Sequence, residues 1–508
     1  MTSHDFVVVG AGTAGCVLAS RLAQSAEATV LLLEAGGREP LDAAAEPALW
    51  PSLQGTSMDW AGRSVAQAAT GTAVAWSRGR GLGGSSAING MCHLRGHRSS
   101  YDVWVESGLT GWGFTDLVPY LKRSENAEGR DPAVRGLGGP LTVRPAVHPH
   151  PLSEAAFGAA EETGVPCVSD INSGLDEGFG WADLNIVDGR RQSAADAYLR
   201  PVRGLPNLDV VTDALVHRVR LGNGRATGVD YSVGDVLFTA DCRSEVVLAA
   251  GTVGSAQLLL LSGIGPQSHL REVGVEVLLD LPGVGENLHD HPRSTVVYNA
   301  TRRVAPGLNN HAETVGLVRS GATLDAPDIQ FQVVDIPYHA PALPPRLSVP
   351  GRGFTIAFCA ATPRSRGSVR LASTEPGAMP RLDPNYYGDS RDVEVMTAAL
   401  RIARAMGRAP AFDPWRGEEA LPGPAVHDDD HGSVRDYLYR SLRTYFHHVG
   451  TCRMGADDSA VVDGDLRVRG IDGLRVADAS VMPSVVSANT NATVCGIAER
   501  AADLLLRR

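Results

Sequence analysis

Phe6-Val7-Val8-Val9-Gly10-Ala11-Gly12-Thr13-Ala14-Gly15 is an apolar strand that runs into a glycine-spaced turn and then a helical pattern. A dinucleotide pyrophosphate accounts for each glycine. The first permits the tight turn, the second lets the backbone approach the phosphates, and the third lets the helix pack on the strand with its N-terminus facing the anion. A second strand, Thr29 to Leu33, ends in Glu34, 19 residues past Gly15. A carboxylate there accepts both hydroxyls of an adenosine ribose and disfavours a 2′-phosphate, so the expected ligand is FAD or NAD rather than NADP. Glycine-rich turns recur for steric reasons alone; the order strand, turn, helix, strand, acid is what makes this one a nucleotide site.

Composition bounds the remainder. At 508 residues the chain exceeds one ordinary core and implies two domains or one large domain with insertions. A net charge of −11 and a pI near 5.8 argue against nucleic acid or an anionic membrane as partner and leave a small molecule. The seven cysteines form no C-x-x-C pair, which suits reduced thiols in the cytoplasm. No apolar run reaches membrane-spanning length and no signal-like segment precedes the first strand.

Farther along, Gly79-Arg80-Gly81-Leu82-Gly83-Gly84-Ser85-Ser86-Ala87-Ile88-Asn89-Gly90 supplies small residues that let backbone lie against a flat ring or a phosphate. Strand patterns at Leu208 to Thr212, Val216 to Leu221 and Glu245 to Ala249 lead to Ala250-Gly251 and a helix, Ser255 to Leu261, stopped by Ser262-Gly263. Between Thr301 and Tyr445 prolines and alternating strands, Asp328 to Val334, Phe354 to Ala360 and Gly367 to Leu371, predict a separate antiparallel sheet facing substrate. A strand at Leu474 to Ala477 and a helix from Ala492 to Leu506 close the chain. The expected fold is α/β: a Rossmann-like nucleotide-binding domain from residues 1–147, 190–300 and 446–508, and a substrate-binding domain from 148–189 and 301–445.

The order of four motifs, GAGTAG with Glu34, GRGLGGSSAIN from Gly79, GTVGSAQLLLLSGIG from Gly251, and HHVGTCRMG–ADASVMP–ANTNAT at the C-terminus, resembles the glucose-methanol-choline oxidoreductases nearly end to end. That resemblance implies non-covalent FAD and oxidation of a primary alcohol to an aldehyde. It places the cofactor against Gly10, Gly12, Thr13, Ala14, Gly15, Glu34 and Ala35; against Leu82, Gly83, Ser86, Asn89, Gly90 and Met91; and against Val216, Ala250, Gly251, Asp478, Ala479 and Asn491.

Hydride leaves an alcohol carbon only as the hydroxyl proton is lost, so a base must sit beside the hydroxyl. By resemblance that base is His447, three residues before the glycine of GTCRMG, and Asn489 orients the alcohol. His448 reads as a partly exposed neighbour. Relatives with covalent flavin carry histidine one residue before Asn89; here it is Ile88. Choline oxidases supply a carboxylate near the start of the substrate domain, and alignment puts Thr314 there beside Glu313, which argues against choline. Trp60, Trp112, Trp181 and Phe446 are candidates to line a pocket for a neutral, aromatic or furanic alcohol. The alternative is a hydroxynitrile lyase, which shares the fold and keeps FAD. A photodecarboxylase lacks histidine at the place of His447. Electrons pass to oxygen or another acceptor. His93 and His97, and Asn287-Leu288-His289-Asp290-His291, are read as structural rather than metal-binding. The charged stretches Arg364 to Arg370 and Asp428 to Asp430 are read as solvated loops.

Overall fold

The computed structural model describes residues 3–25, 27–305, 307–349 and 352–507. Its two large sheets each have seven strands. In the first, Leu208–Val211, Val30–Leu33, Ser3–Val9 and the long strand Val236–Leu248 lie side by side in parallel, and Leu474–Val476 runs parallel along the C-terminal half of the long strand. Every residue of Val30–Leu33 is buried, as expected where helices cover both faces of a parallel sheet. Arg225–Val233 and Ala214–Gly222 extend this sheet antiparallel. They are joined by Asn223-Gly224, both at positive φ, the two-residue turn whose twist matches a hairpin.

The first strand delivers its turn under the helix Thr13–Ala23. A Cβ at Gly15 would lie 1.7 Å from the Gly10 carbonyl oxygen, so glycine is what allows the helix to sit this close. The C-terminal helix Asn491–Leu506 packs beside it. Glu499, fully buried, joins the two by accepting from Arg21 Nε at 2.9 Å and Nη2 at 2.7 Å, and from the Tyr198 hydroxyl at 2.9 Å. That clamp sets the N-terminus of the last helix beside the first.

The second sheet is antiparallel, in the order Arg416–Leu421, Pro292–Ala300, Gly353–Ala360, Ile329–Val334, Thr314–Val318, Gly178–Trp181. Val296, Ile329, Phe354, Ile356 and Phe358 are wholly buried, each worth about 1.5–3 kcal/mol when removed from water. The helix Ser390–Gly407 covers them with Val395, Met396, Ala399, Leu400, Ala403 and Met406, one stripe at helical spacing. The strand Pro292–Ala300, which the sequence grouped with the nucleotide-binding segments, pairs centrally in this second sheet. Its fully buried pattern lacks the alternation that marks a strand with one wet face.

Where that strand begins, Pro292 and Arg293 are in register with Thr444 and Arg443. The chain entering one strand, His289-Asp290-His291, therefore meets the chain leaving the other, Tyr445-Phe446-His447-His448, and Tyr445 N donates to His291 O at 3.1 Å. Among the described residues no helix is long and apolar enough to cross a membrane, and no group of three or more His, Cys, Asp or Glu could hold a metal ion.

Candidate active site

One cavity runs from the first glycine turn to the junction of the two sheets. Gly10, Gly12, Thr13, Ala14, Glu34, Ala35, Asn89, Gly90, Val216, Ala250, Gly251, Asp478, Ala479, Asn489, Asn491 and His447 all line it. The other expected residues stand behind this wall. Gly15 packs the helix, Gly83 N donates to Ala11 O at 2.8 Å, and Ser86 Oγ accepts from Ala194 N at 2.9 Å while donating to Gly83 O. Leu82 joins the first core and Met91 a separate cluster.

The cavity's nucleotide end is built for a flat anionic ligand. No atom lies within 4 Å of a Cβ placed on Gly12, and a Cβ on Gly84 would come 2.6 Å from Gly12 Cα, so two backbones pass at a distance only glycine allows. Glu34 Oε2 accepts from Ala11 N at 2.8 Å, while Oε1 accepts from Gly36 N at 2.8 Å and Gly81 N at 2.9 Å. Oε2, with one donor, keeps acceptor capacity for a ribose hydroxyl. Thr13 Oγ1 donates to Asn491 Oδ1 at 2.7 Å, joining the two helix N-termini. Asp478 accepts from Gly251 N at 2.8 Å and from Ser480 N at 2.8 Å, tying the C-terminal segment to the helix Gly251–Leu261. These residues fit a bound dinucleotide.

At the other end His447 is buried, and its backbone N–H donates to Asp290 Oδ1 at 2.7 Å. Its Nδ1 lies 2.8 Å from Nδ1 of His291. Burial, then the neighbouring His291, His448 and Arg293, hold the His447 imidazole well below its ordinary pKa. It is therefore neutral at pH 7, and one nitrogen has a free lone pair. Asn489 Oδ1 accepts from Gln330 Nε2 at 3.0 Å, which leaves the amide nitrogen, its donor end, free of that neighbour. Asp290 also accepts from the Tyr386 and Thr444 hydroxyls, and burial pushes its carboxyl up to about 6.

Several expectations are corrected here. His448 is not partly exposed: it is buried with its ring centre 3.9 Å from that of Trp76 and tilted by 31° to it, and burial, with Arg78, brings it down to about 3. Trp60 and Phe446 line the cavity, but Trp112 is buried with its N–H on Gly464 O, and Trp181 packs on Phe157. Glu313 does not line it either; its carboxylate accepts from His150 N and Asn309 Nδ2. Arg366, placed in a solvated loop, is half-buried and donates to Asn287 Oδ1 at 2.9 Å, and Asp428 pairs with buried Arg404. The sequence passed over Gln330 and Gln332, which point inward from the same strand two residues apart. Polar side chains alternating along an otherwise apolar strand were the available signal. His291 was assigned to a structural loop, yet it contacts His447.

Comparison with known proteins agrees with this geometry. Residues 4–293 and 363–498 match the two GMC oxidoreductase family patterns. The chain belongs to the GMC oxidoreductases. It is 35% identical to an oxygen-dependent choline dehydrogenase of Brucella suis biovar 1 (strain 1330), over 99% of this chain and 96% of that protein. Pyridoxine 4-oxidase from Mesorbium loti superposes with a TM-score of 0.93 at 37% identity, covering 98% of each chain. A fungal aryl-alcohol oxidase gives 0.88 at 26%, covering 99% of this chain and 98% of that one. This GMC protein is an FAD-dependent oxidoreductase acting on CH–OH groups.

Proposed function

We propose that the protein oxidises a primary alcohol to an aldehyde, with His447 as general base, Asn489 orienting the alcohol, and FAD held without a covalent bond. The observation that carries this reading is that the glycine cradle, a neutral buried imidazole and an amide donor line one cavity. Bound FAD supplies the two-electron acceptor for the hydride that leaves the carbinol carbon. His447 takes the hydroxyl proton at Nε2, because Nδ1 is committed to His291. The C–H and O–H bonds break as C=O forms, and the charge growing on oxygen is met by the Asn489 amide N–H. Ile88, inert to flavin, lines the cavity beside Asn89, which favours dissociable cofactor. All seven cysteines are free thiols, which fits a cytoplasmic setting.

The test is a set of primary alcohols added anaerobically to the yellow protein, followed by air, with the flavin spectrum recorded throughout. Bleaching with aldehyde formation is the expected result. Hydrogen peroxide in proportion to aldehyde after air identifies oxygen as acceptor; recovery only with a dye or quinone identifies a dehydrogenase. A cyanohydrin cleaved while every alcohol leaves the flavin oxidised would establish the lyase instead.

A further inference from the structure

Arg293 enters the cavity from the first turn of the strand Pro292–Ala300, two residues after His291. It is 5% exposed, and its Nε and Nη2 have no hydrogen-bond partner. Aromatic faces surround it instead, with its guanidinium 4.3 Å from the ring centre of Tyr338, 5.6 Å from Tyr445 and 6.0 Å from Phe446. The Tyr445 ring in turn is 4.8 Å from that of His447. Arg443, in register on the neighbouring strand, brings a second guanidinium 5.4 Å from the Tyr338 ring and spends Nη1 on the His339 carbonyl.

The acids of this cavity are committed elsewhere, Glu34 to three backbone N–H groups and Asp478 to Gly251, Ser255 and Ser480. Burial alone would push the Tyr338 phenol up, yet the nearby charges of Arg293 and Arg443 hold it below its ordinary value. Cation–π contacts offset part of the cost of burying a guanidinium, but they leave its N–H groups unsatisfied. Nε and Nη2 are shut in against the surrounding side chains, so the guanidinium meets a ligand in the cavity through Nη1, a charge-assisted donor suited to a carboxylate oxygen.

The geometry points to a substrate alcohol that carries a carboxylate, held by the Arg293 guanidinium while His447 and Asn489 hold the hydroxyl. This deepens the proposed alcohol oxidation and rests on it. It replaces the neutral alcohol expected from the sequence, and it sets this site against a quaternary ammonium substrate such as the one named for the dehydrogenase relatives.

Benzoate, a carboxylate with no oxidisable alcohol, and benzamide, its neutral counterpart, test this by calorimetric titration of the FAD-loaded protein. Benzoate binds at least about tenfold tighter than benzamide in the native protein, as a buried charge-assisted pair requires. Arg293→Gln, its flavin spectrum checked first, brings the ratio to within about twofold, and Arg293→Lys, which keeps the charge but not the planar guanidinium, lies between. Equal affinities in the native protein overturn the proposal whether or not a variant folds. So does a benzoate preference that survives Arg293→Gln. Benzyl alcohol and 4-(hydroxymethyl)benzoate are compared in anaerobic flavin reduction as a separate arm. If neither bleaches the flavin, alcohol oxidation fails as a reading, while the benzoate ratio still decides what Arg293 binds.

Discussion

His291 and His447 meet edge to face, their Nδ1 atoms 2.8 Å apart and their rings at 88°. Two imidazoles can share that contact only if one Nδ1 carries the proton and the other accepts it. Burial holds His291 down to about 4, so it is neutral and able to accept. With His447 Nδ1–H donating to His291, the tautomer leaves Nε2 with the free lone pair that the proposed base requires. On the proposed mechanism His291 would position His447 for the proton transfer.

Substitution at His291 separates positioning from chemistry. His291→Phe removes the acceptor while keeping a planar ring, and flavin reduction should slow about 10- to 100-fold, the scale seen when a metal-bound imidazole loses its orienting partner. The fall should lie in kcat with KM little changed. His291→Asn restores an acceptor and should recover part of the rate. Stopped-flow reduction of both variants checks this, and a rate for His291→Phe equal to native removes the positioning role.

At the base itself, His447→Ala should keep FAD and lose about 10² to 10⁴ in the rate of flavin reduction, the contribution of a positioned general base. His448→Ala should keep most of the rate, because its ring packs against Trp76. The comparison is made on anaerobic reduction after confirming the flavin spectrum. Native reduction by His447→Ala with a defective His448→Ala would move the base to His448.

The same burial makes stability pH-dependent. His289, His291, His447 and His448 are all held below the ordinary imidazole value of 6.5, the first and third well below, His291 at about 4 and His448 at about 3. Between pH 6.5 and those values the unfolded chain binds protons that the folded one refuses, so stability is full above about 6.5 and is lost as pH falls toward 4. Asp290, raised to about 6, acts with opposite sign, since the folded state holds its proton from about 6 down to 3.8. Glu34 and Asp478, raised by burial, and His311, held up against burial by its hydrogen bond to Asp335, act the same way as Asp290; His97 and His269, lowered by burial, join the four imidazoles, which set the expected sign. Thermal melts from pH 4 to 8 should show Tm level above 7 and falling below 6.5, and a Tm constant to pH 5 contradicts this.

Much of the candidate site's cavity lining was legible because its chemistry demands local sequence. Glycine spacing at Gly10, Gly12 and Gly15, and an acid closing the second strand, are short-range requirements readable along the chain. What escaped depends on contacts between distant segments. His291 and Arg293 touch His447 and Tyr445 only because residues 292–293 and 443–444 fall into register, and no local pattern announces that pairing. The strand Pro292–Ala300 was misplaced for a related reason: a strand buried on both faces loses the alternation that marks its edges. His448 was misjudged as partly exposed because Trp76, which covers it, is far away in sequence.

The cofactor prediction turns on Gly84. Its φ of +51, and the 2.6 Å that would separate an added Cβ from Gly12 Cα, leave no room for a side chain where two backbones must pass. Gly84→Ala should therefore push the Gly12 turn out of place and yield protein with far less yellow colour, because the clash falls in the turn after the first strand and within no strand of either sheet. Circular dichroism identical to native, with flavin absorbance lost, is the expected pair of readings. Gly55→Ala is the control, because Gly55 also has positive φ, at +75, but has nothing within 4 Å of the added carbon and does not line the cavity. It should bear the backbone strain alone and retain FAD. In the native protein acid precipitation should release the flavin into the supernatant. Flavin remaining on the precipitated chain would contradict dissociable binding, and a fully yellow Gly84→Ala would show that this cradle does not hold the cofactor.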